Sequence, residues 1–108
     1  MKIIICGAGE VGFSLAKYLS SENMQVTVID EDSEKLHKMT SAIDVRSIVG
    51  KSYNPSILDE AGVKSAHLLI AVSENDESNI IACEIAKILL GPNAKEPDTH
   101  TVESMLAS

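Results

Sequence analysis

Residues 3–12 read IIICGAGEVG, an apolar run that leads directly into a G-x-G-x-x-G motif. The run is typical of a buried strand, and each glycine has its own task in such a motif. Gly7 permits a tight turn, Gly9 lets a pyrophosphate approach the backbone, and Gly12 lets the next helix pack closely on the strand. Residues 3–12 therefore predict a strand, a phosphate-binding turn and the start of a helix.

A second apolar run, residues 26–30 with the sequence VTVID, ends in an acid. Asp30 follows Gly12 by 18 residues, close to the separation of about 20 at which a carboxylate accepts the ribose hydroxyls in dinucleotide-binding folds. Its charge would repel a 2′-phosphate, so we expect NAD to bind in preference to NADP. The alternative is that Asp30 only caps the helix that starts near Ser33. Glu31 adds negative charge to the site, unless it simply lies in a solvated turn.

Backbone groups of the glycine-rich turn complete the predicted phosphate site. We expect Ala8, Glu10 and Val11 to present N–H groups there, because the N-terminus of a helix attracts anions. The Glu10 side chain is acidic beside a pyrophosphate, and we expect it to point towards solvent rather than to contact the ligand.

Two loops at the ends of later strands are predicted to close the site. Gly50, Lys51 and Ser52 follow the third strand, near the expected position of an adenine. Ligands of open α/β sheets bind where the strand order reverses, and the segment there is Val72, Ser73 and Glu74. The hydroxyl of Ser73 could bond a ribose or phosphate, or form a local turn instead. Asn79 is expected to bond the backbone of this loop rather than a ligand.

Strands and helices alternate along the chain. This alternation predicts an α/β, Rossmann-like, doubly wound parallel sheet with the strand order 3-2-1-4. The strands are expected at residues 2–6, 25–29, 45–49 and 68–72, and the helices at 10–21, 33–41, 55–61 and 76–90. The positions of the apolar residues assign a buried face to the first, second and fourth helices. Ser33 and Asp76 are predicted as N-caps because their side chains suit that position. The predicted buried residues are Val11, Leu15, Tyr18, Leu19, Leu36, Met39, Ile80, Ile81, Ile85, Ile88 and Leu89.

The predicted nucleotide-binding domain covers residues 1–92, and its second half is incomplete because strands five and six would be missing. Residues 93–108 carry no strong strand signal and are expected to be irregular or a short helix. No apolar run of about 18 residues is present, so we expect no membrane span. The early start of the first strand argues against a signal peptide.

Composition narrows the classes of function. The net charge of −7 argues against nucleic acid as a partner. Cys6 and Cys83 lie in apolar segments without ligand spacing, so we expect buried thiols in a reducing cytoplasm and no metal site. No nucleophile–base pair or Tyr-x-x-x-Lys arrangement is present, which argues against an enzyme. Two alternatives stay open: the cofactor half of an NAD-dependent oxidoreductase, and an assembly domain without a ligand.

Several segments together resemble one known family. Residues 2–12 and 26–32, Gly50, the stretch LDEAGV at 58–63 and the helix start DESN at 76–79 are similar to the nucleotide-binding domain of Trk potassium-uptake regulators, the TrkA/KTN (RCK-type) family. The resemblance covers residues 1 to about 91. The chain departs from the family at residues 51–53, where KSY replaces the common DAT.

This resemblance implies a non-enzymatic regulatory subunit that is cytoplasmic and peripheral to the inner face of the cell membrane. It further implies binding of NAD(H), with ATP or ADP as other candidate ligands, in a homo-oligomer that controls a membrane potassium transporter subunit. Proteins of the family continue with further strands and a second lobe, so the sequence is expected to be a shortened version.

Overall fold

The computed structural model describes residues 1–90. The predicted tail at 93–108 and the end of the predicted domain at residue 92 lie outside the described residues. The elements are, in chain order, β1 (Lys2–Cys6), α1 (Glu10–Ser21), β2 (Gln25–Asp30), α2 (Ser33–Ala42), β3 (Arg46–Val49), α3 (Pro55–Glu60), a 3₁₀ turn (Val63–Ser65), β4 (Leu68–Ala71) and α4 (Asp76–Leu90).

The four strands form a parallel sheet in the order β3-β2-β1-β4, which confirms the predicted order. In the register of the sheet, Ile4 of β1 lies between Thr27 of β2 and Leu69 of β4. The glycine motif therefore leaves the sheet from a strand with a neighbour on each side. None of the helices in residues 1–90 is long and apolar enough to span a membrane.

Helices cover both faces of the sheet, because successive side chains of a strand point to opposite faces. Ile3 and Ile5 pack on the face that α1 and α2 cover. Ile4 and Cys6 pack on the other face, beneath α3 and α4. The two cores are almost entirely aliphatic, as the small number of aromatic residues predicts.

Side chains from the residue before each helix cap three of the four α-helices. Asp32 accepts the backbone N–H of Glu34 at 2.9 Å and so caps α2. Asn54 caps α3, and Asn75 accepts the N–H of Ser78 at 2.8 Å at the start of α4. The predictions of Ser33 and Asp76 as caps are wrong by one residue: both are the first helical residues of their helices.

The predicted buried face of α1 is partly wrong. Val11 and Tyr18 are 57% and 61% exposed, and α1 buries Gly12 and Ala16 instead. Small residues occupy this face because α1 packs closely on the backbone at the end of β1. Leu15 and Leu19 are partly buried, as the spacing predicts.

The predicted face of α4 is wrong in the same way. The isoleucines Ile80, Ile81 and Ile88 are 49%, 45% and 75% exposed, while Ile85 and Leu89 pack partly against the core. The buried side chains of α4 are Asn79, Ala82, Cys83 and Ala86. Both faces of this helix contain apolar residues, so helical periodicity alone could not decide which face the sheet covers.

Gly12 is the residue through which α1 contacts the glycine turn. A Cβ at this position would lie 2.0 Å from the carbonyl oxygen of Gly7, whereas a Cβ on Gly9 would have no atom within 4 Å. A side chain at position 12 would therefore push α1 away from the backbone of Gly7, whereas a side chain at position 9 would meet no other atom.

We therefore expect Gly12→Ala to lower the free energy of unfolding by about 1–3 kcal/mol, as overpacking of a dense interior does. Gly9→Ala is the matched control, with an expected cost of at most about 1 kcal/mol because Ala is a poorer N-cap than Gly. Urea unfolding followed by circular dichroism measures both values. Equal stability of the two variants would contradict the packing role of Gly12.

Candidate functional site

A cleft of about 220 Å³ lies at the carboxyl edge of the sheet, where β1 and β4 lie side by side. It brings together the glycine turn, the ends of β2 and β3 and the loop after β4. The lining residues are Gly7, Ala8, Gly9, Ile29, Asp30, Glu31, Lys35, Gly50, Ser52, Tyr53, Val72, Ser73, Glu74, Asn75 and Ser78.

The glycine turn forms the floor of this cleft. Gly7 has a φ of 125°, which favours glycine, and it donates its N–H to the carbonyl of Ile29 at 2.9 Å. The N-cap of α1 is Gly9, and no side chain caps this helix end. The first backbone bond of α1 runs from Phe13 to Gly9 at 2.8 Å. The N–H groups of the first turn of α1 thus precede the helical ladder and are suited to an anion.

The carboxylate of Asp30 connects the glycine turn to the loop before α2. Its Oδ2 accepts the N–H of Ala8 and its Oδ1 accepts the N–H of Asp32, each at 2.8 Å. Asp30 is therefore not the cap of α2, since Asp32 fills that role. An ionised carboxylate has about four acceptor positions, so two remain for hydroxyl groups of a ligand.

The loop after β3 forms one wall of the cleft. Gly50 donates its N–H to the carbonyl of Asp30 at 3.0 Å. The side chain of Ser52 hydrogen-bonds the thiol of Cys6. Tyr53 also lines this wall, although it was not among the predicted site residues. An aromatic side chain directly after the strand-ending glycine, in a chain with few aromatics, was the signal that could have found it.

Lys51 lies outside the cleft, although it was predicted as a site residue. Its exposed ammonium lies 5.7 Å from the centre of the Tyr53 ring, in a cation–π arrangement. A hydrogen bond to Tyr53 and the charges of Tyr53 and Glu31 raise the pKa of Lys51. The lysine therefore stays protonated, and its contact with the cleft lining is with Tyr53.

The opposite wall follows β4. Asn79 accepts the N–H of Ser73 at 3.0 Å, and it donates to the Ser73 carbonyl at 3.0 Å. This confirms the prediction that Asn79 bonds loop backbone. The Ser73 hydroxyl also lies against Asn79 Oδ1 and the Asn75 carbonyl, so it is part of a local turn in this structure.

Three other predicted residues lie around the cleft rather than in its lining. Glu10 and Val11 are exposed and line an adjoining depression of about 420 Å³ between α1 and the loop after β4. Gly12 is buried behind the turn, against Gly7. Among the described residues of the main cleft, the acids Asp30, Glu31 and Glu74 face a single lysine, Lys35.

A larger cavity of about 550 Å³ lies at the opposite, amino edge of the sheet. Ser20 of the last turn of α1 and Asn23, two residues beyond its end, help to line it. A helix C-terminus carries partial negative charge and disfavours phosphate. Within residues 1–90, no three His, Cys, Asp or Glu side chains come together as metal ligands. The carboxyl edge is therefore the candidate site.

Residues 3–97 match the sequence profile of the TrkA-N domain. The chain belongs to the TrkA-N domain family. Among the relatives of this TrkA-N domain are two proteins named Trk system potassium uptake protein TrkA. The one from Azorhizobium caulinodans is 40% identical over 88% of the chain, and the one from Halomonas elongata is 44% identical over 82% of it. The chain spans 21% and 20% of their lengths.

Solved structures share the fold of this TrkA-N domain. The Kef C-terminal domain of Shewanella denitrificans in its AMP-bound form has a TM-score of 0.71 and 24% identity, and the match covers 88% of this chain and 56% of that one. The GsuK channel bound to NAD has a TM-score of 0.71 and 19% identity, with 82% and 16% covered.

The Cys6 thiol of this TrkA-N domain lies directly beneath the glycine turn. Burial in the aliphatic core raises the pKa of Cys6 from 9.0 to about 12. This raised pKa includes a smaller upward effect of the neighbouring Cys83 and a downward effect of the hydrogen bond with Ser52. The thiol is therefore protonated at neutral pH and forms part of the core rather than a nucleophile.

This raised pKa predicts a pH dependence of stability. Between pH 9.0 and about 12 the unfolded chain loses the Cys6 proton while the folded chain keeps it. The contribution to stability is therefore complete below pH 9.0 and is lost as the pH rises towards about 12. We expect the free energy of unfolding to fall more steeply over this range in the unmodified chain than in Cys6→Ala. Equal slopes in urea titrations at successive pH values would contradict the raised pKa.

Proposed function

We propose that this chain is the nucleotide-binding, non-enzymatic regulatory module of a Trk-type potassium uptake system, and that its ligand is NAD(H). One observation carries this proposal: Gly9, the N-cap of the uncapped helix α1, and the carboxylate of Asp30 line the same cleft at the carboxyl edge of the sheet. A dinucleotide needs both groups at once, the first for its pyrophosphate and the second for a ribose.

In the proposed complex the pyrophosphate lies on the backbone of residues 7–11, while Gly12 keeps α1 close to the turn. Asp30 accepts the adenosine ribose, and Glu31 adds repulsion towards a 2′-phosphate. The adenine lies against the wall formed by Gly50, Ser52 and Tyr53, with Lys51 above the tyrosine ring. The last wall consists of Val72, Ser73 and Glu74. Residues 1–92 then act as one nucleotide-binding unit.

The charge of the cleft favours NAD(H) over ATP or ADP. Asp30, Glu31 and Glu74 outnumber the one lysine among the described residues of the cleft. Each additional phosphate charge would be repelled by these carboxylates. NAD carries fewer negative charges than ADP or ATP, so we place the adenine mononucleotides second as ligands.

The regulatory part of the proposal draws on the relatives, which are named as potassium uptake proteins. A ligand shifts a transporter only if it binds two conformations of the regulator unequally. We propose that several copies assemble on the cytoplasmic side of a membrane potassium transporter subunit and transmit this difference. The exposed isoleucines of α4 offer apolar surface that such an assembly would bury.

The Asp30 carboxylate gives the first test of the ligand. A lost charge-assisted hydrogen bond costs about 1.5–3 kcal/mol, so we expect Asp30→Ala to weaken NADH binding by about tenfold or more. NADPH should bind more weakly than NADH to the unmodified chain, and Asp30→Ala should narrow that difference. Isothermal titration calorimetry measures all four affinities.

Asp30 also holds the N–H of Ala8, so a second variant separates the two roles. Asp30→Asn keeps one acceptor for the turn and removes the charge that repels a 2′-phosphate. The matched control is Asp44→Ala, an exposed acid at the opposite edge of the sheet. Unchanged NADH affinity in both Asp30 variants, or no NADH binding by the unmodified chain, would overturn the proposed ligand.

Gly9→Ala gives the second test, since the added methyl group enters the space proposed for the pyrophosphate. We expect this variant to remain folded and to bind NADH about tenfold more weakly or worse, because a steric clash costs about 1–3 kcal/mol.

Gly9→Ala also tests the regulatory role, in cells of the source organism that lack the gene for this chain. We expect rubidium uptake to change when the unmodified gene is restored. The gene with Gly9→Ala should fail to restore the part of the uptake that depends on nucleotide. Identical uptake with the deletion, the unmodified gene and Gly9→Ala would overturn the regulatory role and leave the ligand assignment intact.

A further inference from the structure

One buried side chain beside the candidate site, that of Asn79, does not line the cleft but bonds the backbone of one of its walls. Asn79 is only 1% exposed, and it is the one polar side chain fully buried in residues 1–89. Burying an amide costs free energy unless its donors and acceptor are bonded. The partners of this amide therefore indicate what it does in the fold.

All hydrogen-bond partners of the Asn79 side chain belong to Ser73, two residues after the end of β4. Its Oδ1 accepts the N–H of Ser73 and its Nδ2 donates to the carbonyl of Ser73, each at 3.0 Å. The regular ladder between β1 and β4 ends just before, with the N–H of Val72 bonded to the carbonyl of Cys6 at 2.8 Å. The side-chain amide thus bonds Ser73 as a neighbouring strand would, one residue beyond the sheet.

The peptide that Asn79 holds is in direct contact with the glycine turn. A Cβ on Gly7 would lie 2.8 Å from the Ser73 nitrogen and 2.9 Å from the Val72 carbonyl carbon. Gly7 therefore packs against the Val72–Ser73 peptide with no space for a side chain. If this peptide moves away, the turn loses the surface that supports it on the β4 side.

We propose that Asn79 is a positioning residue for the nucleotide cleft: by fixing the backbone of Ser73 it holds the Val72–Ser73 peptide against Gly7 and keeps the glycine turn in its binding conformation. The proposal rests on the proposed function for the identity of the ligand. In this proposal α4 controls the shape of the phosphate site through Asn79, a side chain that does not contact the ligand.

Asn79→Leu tests this role, because it keeps the number and branching of the side-chain heavy atoms and removes both hydrogen bonds to the backbone of Ser73. The matched control is Ala82→Gly, a buried position of α4 three residues after Asn79. This control lowers helix stability by about 1 kcal/mol and so reports the effect of a merely weakened helix. Asn79→Ser, which is too short to bond both groups of Ser73, is the second variant if Asn79→Leu does not fold.

The first measurement is amide hydrogen exchange of the full chain without nucleotide. We expect the hydrogen-bonded amides of Gly7, Ala8 and Val72 to exchange about tenfold faster or more in Asn79→Leu than in Ala82→Gly, because these bonds break when the turn opens locally. The amides of β2 should exchange only on global unfolding. Equal exchange of these three amides in the Asn79 variants and in Ala82→Gly would overturn the proposal and leave Asn79 a purely structural residue.

The second measurement is the Kd for NADH in the same variants. We expect an increase of about tenfold or more in Asn79→Leu and little change in Ala82→Gly. An unchanged Kd in Asn79→Leu would overturn the positioning role even if exchange rose. If the unmodified chain does not bind NADH, the proposed ligand fails, and the exchange experiment still decides whether Asn79 holds the turn.

Discussion

The close contact of backbone segments at Gly7 is the constraint on which the site depends. The Gly7 N–H bonds the carbonyl of Ile29, its carbonyl oxygen lies where a Cβ on Gly12 would be, and its α-carbon packs on Ser73. The end of β1 is thus fixed from β2, α1 and the loop after β4 at once. No side chain takes part in these contacts, so the distances between the three segments are set by backbone dimensions. This explains why two glycines at these positions determine the shape of the whole cleft.

Two polar side chains hold the surroundings of this contact, and they differ in their exposure to a ligand. Asp30 binds the turn from the β2 side through the N–H of Ala8, and part of its carboxylate faces the cleft. Asn79 acts from the β4 side through Ser73 and is buried. Ribose hydroxyls can compete for Asp30, whereas nothing in the cleft can reach Asn79. A ligand would therefore alter the hydrogen bonds of Asp30 to the turn and leave those of Asn79 to Ser73 unchanged.

The strand order and the position of the acid could be predicted because they follow from strong local patterns: the glycine spacing, the apolar runs and Asp30 at the end of β2. The face of α4 could not, because isoleucines stand on one side and Ala82, Cys83 and Ala86 on the other. Close packing of α4 on the sheet favours the small residues. This preference depends on the contact between helix and sheet and is not visible in the sequence of the helix alone. Tyr53 was missed for a related reason, since the direction of a loop side chain depends on the turn that carries it. The cap positions were wrong by one residue because Asp32 and Asn75 compete with the next polar residue for the same N–H groups.

The chain is acidic overall, and three acidic residues also line the cleft, where their charge affects which ligand can bind. The first turn of α1 attracts an anion over the distance of one helical turn only, while Asp30, Glu31 and Glu74 repel it from the surrounding walls. These two effects balance best for a ligand whose negative charge is small and concentrated at the turn. A pyrophosphate bridging two nucleosides has this distribution, because the riboses and bases at its outer ends carry no negative charge. A terminal triphosphate extends charge beyond the turn towards the carboxylates. The same electrostatic arrangement that would exclude a 2′-phosphate at Asp30 thus also disfavours a third phosphate at the other end of the cleft.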